Sequence, residues 1–302
     1  MARVIPDRES REYVARVVAD VAPDQADQIV ALLQPSIRFS GLLTPGYGPA
    51  LQLGGGAALP PDIAWPEHDG RMMHLVAVID LAQVAEVDPT GLVPKTGMLH
   101  FFYDAVACKW GYDPQDRDSW SVVLVPEPRP GEEHERQYCA VYPGDEQSPH
   151  PTAVLLEERH GAPYVQWTIP DGEEPDLSDI EWPVGKIGAR FIVDLANRDW
   201  DLMLREHQML GWPNVIQNPM RLDCQLAANG VNTGSAGYES VRAAELHDGL
   251  YDWVLLLQLD SWGEYEGGGQ WGPDGMLYFW IRRNDLLTAR FDQVWVILRT
   301  WS

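Results

Sequence analysis

The sequence predicts an α+β fold: a β-rich single body built from two interlocked repeats, with an N-terminal helical pair. Three observations predict it. Two segments about 180 residues apart read as copies of each other. Most apolar runs are short, bounded by Gly and Pro, and rich in β-branched and aromatic residues. Only the first residues carry a sustained helical period.

Residues 7–34 form the helical segment. Val14, Val17, Val18 and Val21 share one face, while Arg11, Glu12, Arg16 and Asp20 fall elsewhere. Pro23 starts a second helix whose Ile29, Leu32 and Leu33 face inward, and Pro35 stops it. Leu42 to Pro49 is a loop. Repeat one spans 51–104. It opens on the Gly-rich Leu53-Gly54-Gly55 and continues through Trp65 and Pro66 to the run His74-Leu-Val-Ala-Val-Ile-Asp80. Residues 75–79 read as a buried strand. Asp80 stands just before Leu-Ala-Gln, the place of a helix N-cap. Gly97-Met-Leu-His-Phe-Phe-Tyr-Asp104 then gives a strand over 98–103.

Residues 126–183 are an acidic excursion between the repeats, with long surface loops interrupted by strand-like runs at 121–125, 138–142 and 164–169. Phe191-Ile-Val-Asp194 echoes the run ending at Asp80, and 199–210 reads as a short helix ended by Gly211 and Pro213. Repeat two spans 210–281. It holds Leu210-Gly211-Trp212-Pro213, Trp253-Val-Leu-Leu-Leu-Gln-Leu-Asp260 and Gly275-Met-Leu-Tyr-Phe-Trp-Ile281. Strands are expected at 253–259, 276–281 and 293–298, with a helical turn capped by Asn284 or Asp285 before Phe291. No linker separates independent domains, so 1–302 is read as one domain. Leu75, Ile79, Leu99, Phe101, Leu255, Leu257, Leu277 and Phe279 should be buried where the copies pack together.

Composition bounds the function. The 302 residues include 45 Asp plus Glu against 22 Lys plus Arg, a formal charge of −23. That field repels phosphate backbones and anionic membranes and attracts a cation or a basic partner. Nucleic acid and membrane are therefore not expected partners. The start has no apolar h-region and the apolar stretches are strand-sized, which places the chain in the cytoplasm. Cys108, Cys139 and Cys224 form no C-x-x-C pair, so neither a disulfide framework nor a metal site is expected. There is no Gly-x-Ser-x-Gly elbow, phosphate loop or dinucleotide fingerprint, and no cofactor is expected. Lys109 beside Cys108 would lower that thiol's pKa, but no His partner is evident.

The motifs resemble those of the YwqG-like family of bacterial proteins, over roughly residues 30–300. The matching elements are Leu53-Gly-Gly, Leu59-Pro60, Trp65-Pro66, the run from His74 to Leu81 and that from Gly97 to Asp104. They continue with His207-Gln-Met-Leu-Gly-Trp-Pro213, Gln217, the run from Leu255 to Ser261, Trp271 to Gly275, and Leu277 to Ile281. The family pattern carries Gln-Ile-Asp in the first apolar run. Here Val78 replaces that Gln, while the second run keeps Gln258. The resemblance implies a duplicated α+β fold without a settled activity, and some relatives look like immunity or antitoxin-associated proteins.

Asp80 and Asp260 hold equivalent positions. Brought together they would share a proton or bind a cation; held apart, each caps its own turn. His207, before a Gly turn, suits a general base or a helix C-cap. The stretch from Ser261 to Asp274, with two tryptophans, suits a sugar, a basic peptide or Ca²⁺, or is a long hairpin connection. His68 and His74, six apart, fit neither a helical nor a strand metal pair. The leading expectation is a non-enzymatic binding protein, an immunity-like or accessory factor whose acidic, aromatic-rich surface takes a basic protein partner. The alternative is an enzyme or small-ligand protein with a site between the repeats, drawn from Trp65, Asp80, Asp104, His207, Gln217, Gln258, Asp260 and Trp271.

Overall fold

The computed structural model describes residues 10–40, 50–127, 135, 137, 158–171, 173–175, 207–234, 236–261, 271 and 275–300. The expected loop at 42–49, strand at 138–142, echo at 191–194 and most of the helix at 199–210 lie outside them.

Ser10 caps the first helix, its Oγ accepting from the Tyr13 N–H at 3.1 Å. Helix α1 (Arg11–Val21) buries Val14 and Val18, one turn apart, against Ile29 of α2 (Ala26–Ala31) and against Leu33 and Ile169. The helical pair ends before the expected position. Strand β1 (Gln34–Ser40) begins ahead of Pro35. A proline is tolerated there because strand β9 (Gln208–Met209) pairs only with Ile37 and Arg38, leaving the sheet open beside Pro35.

Ten strands form one antiparallel, nearly closed, barrel-like sheet. Besides β1 and β9 they are β2 (Leu51–Leu53), β5 (His74–Asp80), β6 (Met98–Tyr103), β7 (Trp120–Val125) and β8 (Arg159–Thr168). The last three are β10 (Trp253–Asp260), β11 (Met276–Arg282) and β12 (Trp295–Arg299). Their order is β12-β11-β10-β9-β1-β8-β2-β5-β6-β7. The acidic stretch 126–183 is thus not only a surface excursion. It supplies β8, which pairs with β1 along seven residues and with β2 on its other side. Likewise, Gln208 and Met209 are strand, where a helix was expected.

The hairpins β5–β6 and β10–β11 carry matching irregularities. The register shifts between Leu75 and Ala77 in one and between Leu255 and Leu257 in the other. The turns after β2 and β9 also match. Gly54 and Gly55 have φ of 54° and 73°, and Leu210 and Gly211 have 56° and 68°. Each pair is two successive left-handed residues, a backbone that glycine adopts freely and leucine only under constraint. That constraint is visible. Gln52 Nε2 donates to the carbonyls of Gly54 (2.8 Å) and Gly56 (3.0 Å). Gln208 Nε2 donates to those of Leu210 (3.1 Å) and Trp212 (2.8 Å).

The eight residues expected to be buried are so, none more than 2% exposed. One main core takes residues from both hairpins, while Trp65, Met73, Leu75, Val78 and Phe102 form a second cluster on the outer face of β5–β6. The two ends of the sheet meet through tryptophans. Trp120 Nε1 donates to Val294 O (3.0 Å), Trp295 Nε1 donates to Gly111 O (2.8 Å), and the two rings lie edge to face. Gly111, at φ 80°, faces the Val296 carbonyl so closely that a Cβ would collide with it.

Candidate functional site

The eight candidate residues divide by what they touch. Trp65 is a core anchor: its Nε1 donates to Met73 O at 2.8 Å and its ring meets Phe102 edge to face. Asp80 caps helix α3 (Leu81–Val87), accepting from the N–H groups of Ala82 (3.0 Å) and Gln83 (3.3 Å) and from Gln83 Nε2 (2.8 Å). Trp271 is buried against Tyr103, ring centroids 5.8 Å apart. Gln217 is exposed, at φ 71°, and donates to Thr300 O. His207, Gln258 and Asp260 come together where β9 meets β10. The Asp260 N–H donates to His207 Nδ1 at 3.2 Å, Gln258 pairs with Gln208 across the strands, and Gln258 Oε1 accepts from the Asn214 N–H. His207 therefore holds the junction of β9 and β10. Val78, where the resemblance led to a glutamine being expected, packs in the apolar cluster with Trp65 and Phe102.

Asp104 leads to a cleft among the described residues. It is buried just beyond β6, and its Oδ1 accepts from the N–H groups of Val106 (3.0 Å) and Ala107 (2.9 Å). Its Oδ2 lies 2.6 Å from His68 Nδ1 and 3.3 Å from an Arg71 guanidinium nitrogen. Burial alone would raise the Asp104 carboxyl. The His68 hydrogen bond, the two N–H groups and the Arg71 charge outweigh it and hold the group below the usual range. An ionised Asp104 makes His68 Nδ1 the donor.

His68 reaches that position through a short hairpin. Strands β3 (Glu67–His68) and β4 (Arg71–Met72) are joined by Asp69 and Gly70, both at positive φ. The hairpin packs against the 3₁₀ turn Pro114–Ser119, which starts at Asp113. Between them is a cleft of about 570 Å³ lined by Pro66, Glu67, His68, Asp69, Met73, Gln115, Asp118, Trp120 and Ser121. Sequence spacing could not find it. His68 and Asp104 are 36 residues apart, and the only local signal was the Asp69-Gly70 turn. None of the eight candidates lines the cleft, although Asp104 sits behind it through His68.

The described residues hold no group of three or more His, Cys, Asp and Glu placed for a metal ion. Nor is any described helix long and apolar enough to cross a membrane. Cys108 departs from expectation. Burial, with the Asp104 charge, pushes its thiol up to about 12, and its Sγ donates to Ala105 O, so Lys109 does not activate it. The 262–270 and 272–274 segments of the aromatic acidic loop, and His134 and His150, lie outside the described residues.

Residues 52–299 match the family described as Domain of unknown function (DUF1963). No curated protein matches the chain.

Proposed function

The chain belongs to the DUF1963 family, and from that premise we propose that it is a YwqG-like binding protein, two interlocked copies of one unit, that captures a basic protein partner. The cleft between the β3–β4 hairpin and the 3₁₀ turn carries this reading. Glu67, Asp69 and Asp118 line it, and its described lining contains no Lys or Arg. Within a chain of net charge −23, these carboxylates add to a negative potential on this face. A cationic partner would be steered to it, quickly and with strong salt dependence. The matched register shifts and glutamine-held turns support the two-copy reading. An accessory or immunity-like role in the cytoplasm suits such a protein.

The test is fluorescence anisotropy with labelled basic and acidic peptides of equal length. The basic peptide should bind, weaken steeply between about 0.05 and 0.2 M salt, and lose affinity in Glu67→Gln/Asp118→Asn. Equal binding of both peptides, or full affinity in the double variant, would sink the proposal.

A further inference from the structure

We infer that the N-terminal helical pair is a lid: α1, α2 and the strap that follows β8 open and close as one unit on a body that stays folded, and Trp212 fastens them.

The pair carries its own small core. Val14, Val18, Ala22, Ile29 and Leu33 pack with Ile169 of the strap in a cluster separate from the main core. Trp167 borders that cluster. It stands opposite Pro35 in the β1–β8 register, on the face by which Ile37 and Phe39 enter the main core. The helices therefore seat at the end of that face, beyond the two residues of β1 that β9 pairs. At 11 and 6 residues, neither helix is long enough to hold its shape in water by itself. Undocking thus melts the helices, while the body keeps a core of its own.

The fastening runs through one ring. Trp212 Nε1 donates to the carbonyl of Leu32, the C-cap of α2, at 2.7 Å. The Trp212 N–H donates to Thr168 Oγ1, at the end of β8, at 2.8 Å. The Arg221 guanidinium lies over the same ring, 5.1 Å from its centroid. That guanidinium clasps Glu174 Oε2 through its Nε (3.1 Å) and Nη2 (2.7 Å). Glu174 is buried and sits on the strap beyond Ile169. Trp212 and Arg221 belong to the body, Leu32 and Glu174 to the lid. The helix end and the strap thus hold the body through two stacked partners, and Ile169 joins them to each other in the apolar cluster. Loosening either fastening loosens the other.

Native-state hydrogen exchange on the full chain, from no urea to about 1 M, tests the lid. In the wild type, the α1 amides should exchange at least about tenfold faster than those of β10 and β11. Their urea dependence should be shallow, because opening the lid exposes little surface, while β10 and β11 follow the steep dependence of global unfolding. Trp212→Phe keeps a ring under Arg221 but removes the bond to Leu32 O, and should speed α1 exchange about five- to tenfold. Glu174→Gln keeps the shape of the strap but breaks the ion pair, and should speed α1 exchange about tenfold, although the substitution is on the strap. Both variants should keep β10 and β11 protected. The wild-type profile decides the question even where a variant fails to fold. Protection and urea dependence in α1 equal to those of β10 and β11 overturn the lid, and so does α1 exchange unchanged by Glu174→Gln.

Discussion

The rings of Phe101 and Phe279 meet edge to face, centroids 5.0 Å apart and planes at 75°. They occupy corresponding places in β6 and β11, and both are fully buried. Each hairpin presents an aromatic face that it cannot cover alone, and the pair joins the two faces inside one core. Truncating either ring to Ala should cost about 3–5 kcal/mol in urea unfolding. The double variant should cost less than the sum, with a coupling of about 0.5–1.5 kcal/mol. Strict additivity would mean that the two hairpins fold as separate cores.

Asp80 is a cap, so its substitution should act on stability. Asp80→Ala removes the acceptor for the Ala82 and Gln83 N–H groups and should cost about 1 kcal/mol. Asp80→Ser should recover most of that, since a hydroxyl also caps. A proton-sharing or cation site with Asp260 would behave differently, losing an ion-dependent or pH-dependent signal that Ser does not restore. Thermal melts with and without divalent ions separate the two.

The strands legible in the sequence were those whose own residues decide their state. Residues 75–79, 98–103 and 276–281 are apolar, short and bounded by turn residues, and each appears where it was expected. So does the Asp80 cap, because the signal lies within four residues. What escaped depends on distant partners. The acidic stretch read as long surface loops around strand-like runs, and the run at 164–169 overlaps β8, but nothing local shows that β8 pairs with β1 and β2 across more than a hundred residues. His207 suited a general base or a helix C-cap, and nothing local reveals that its neighbour Gln208 pairs with β10. The His68–Asp104 pair was invisible for the same reason: a two-residue hairpin brings them together, and neither residue alone signals the other. Cys108 next to Lys109 misled because adjacency in sequence says nothing of burial.

His100 gives the fold a pH dependence of definite sign. Burial lowers its pKa from 6.5 to about 4, and backbone contacts at Met98 and Val123 only partly oppose this. The folded state therefore binds fewer protons than the unfolded state between those values. Its contribution is complete above about pH 6.5 and is lost as pH falls towards 4, about 3 kcal/mol in all. Urea midpoints measured from pH 7 to pH 4 should fall more steeply in the wild type than in His100→Phe, which has no proton to gain. Parallel slopes would place His100 in a solvated position instead.

The final prediction ranks the two glutamine-held turns. Gln208 is 1% exposed and makes three bonds: its Nε2 to the carbonyls of Leu210 and Trp212, and its Oε1 from Arg38 at 2.6 Å. Gln52 makes the same pair of carbonyl bonds in a less buried position, in a turn that contains three glycines, Gly54, Gly55 and Gly56. Removing a buried partner leaves the groups it satisfied without water, at about 1–3 kcal/mol. Gln208→Ala should thus cost about 2–3 kcal/mol and Gln52→Ala about 1 kcal/mol. The asymmetry has a second source. Leu210 sits at φ 56° without glycine's freedom, so its turn leans harder on the glutamine. Leu210→Gly in the Gln208→Ala background should recover part of the loss, because it relieves the backbone that the side chain was holding. Hydrogen exchange at 208–212 would read the turn directly. Equal costs for the two glutamines, or no rescue by Leu210→Gly, would show that the side chains follow the turns rather than fix them.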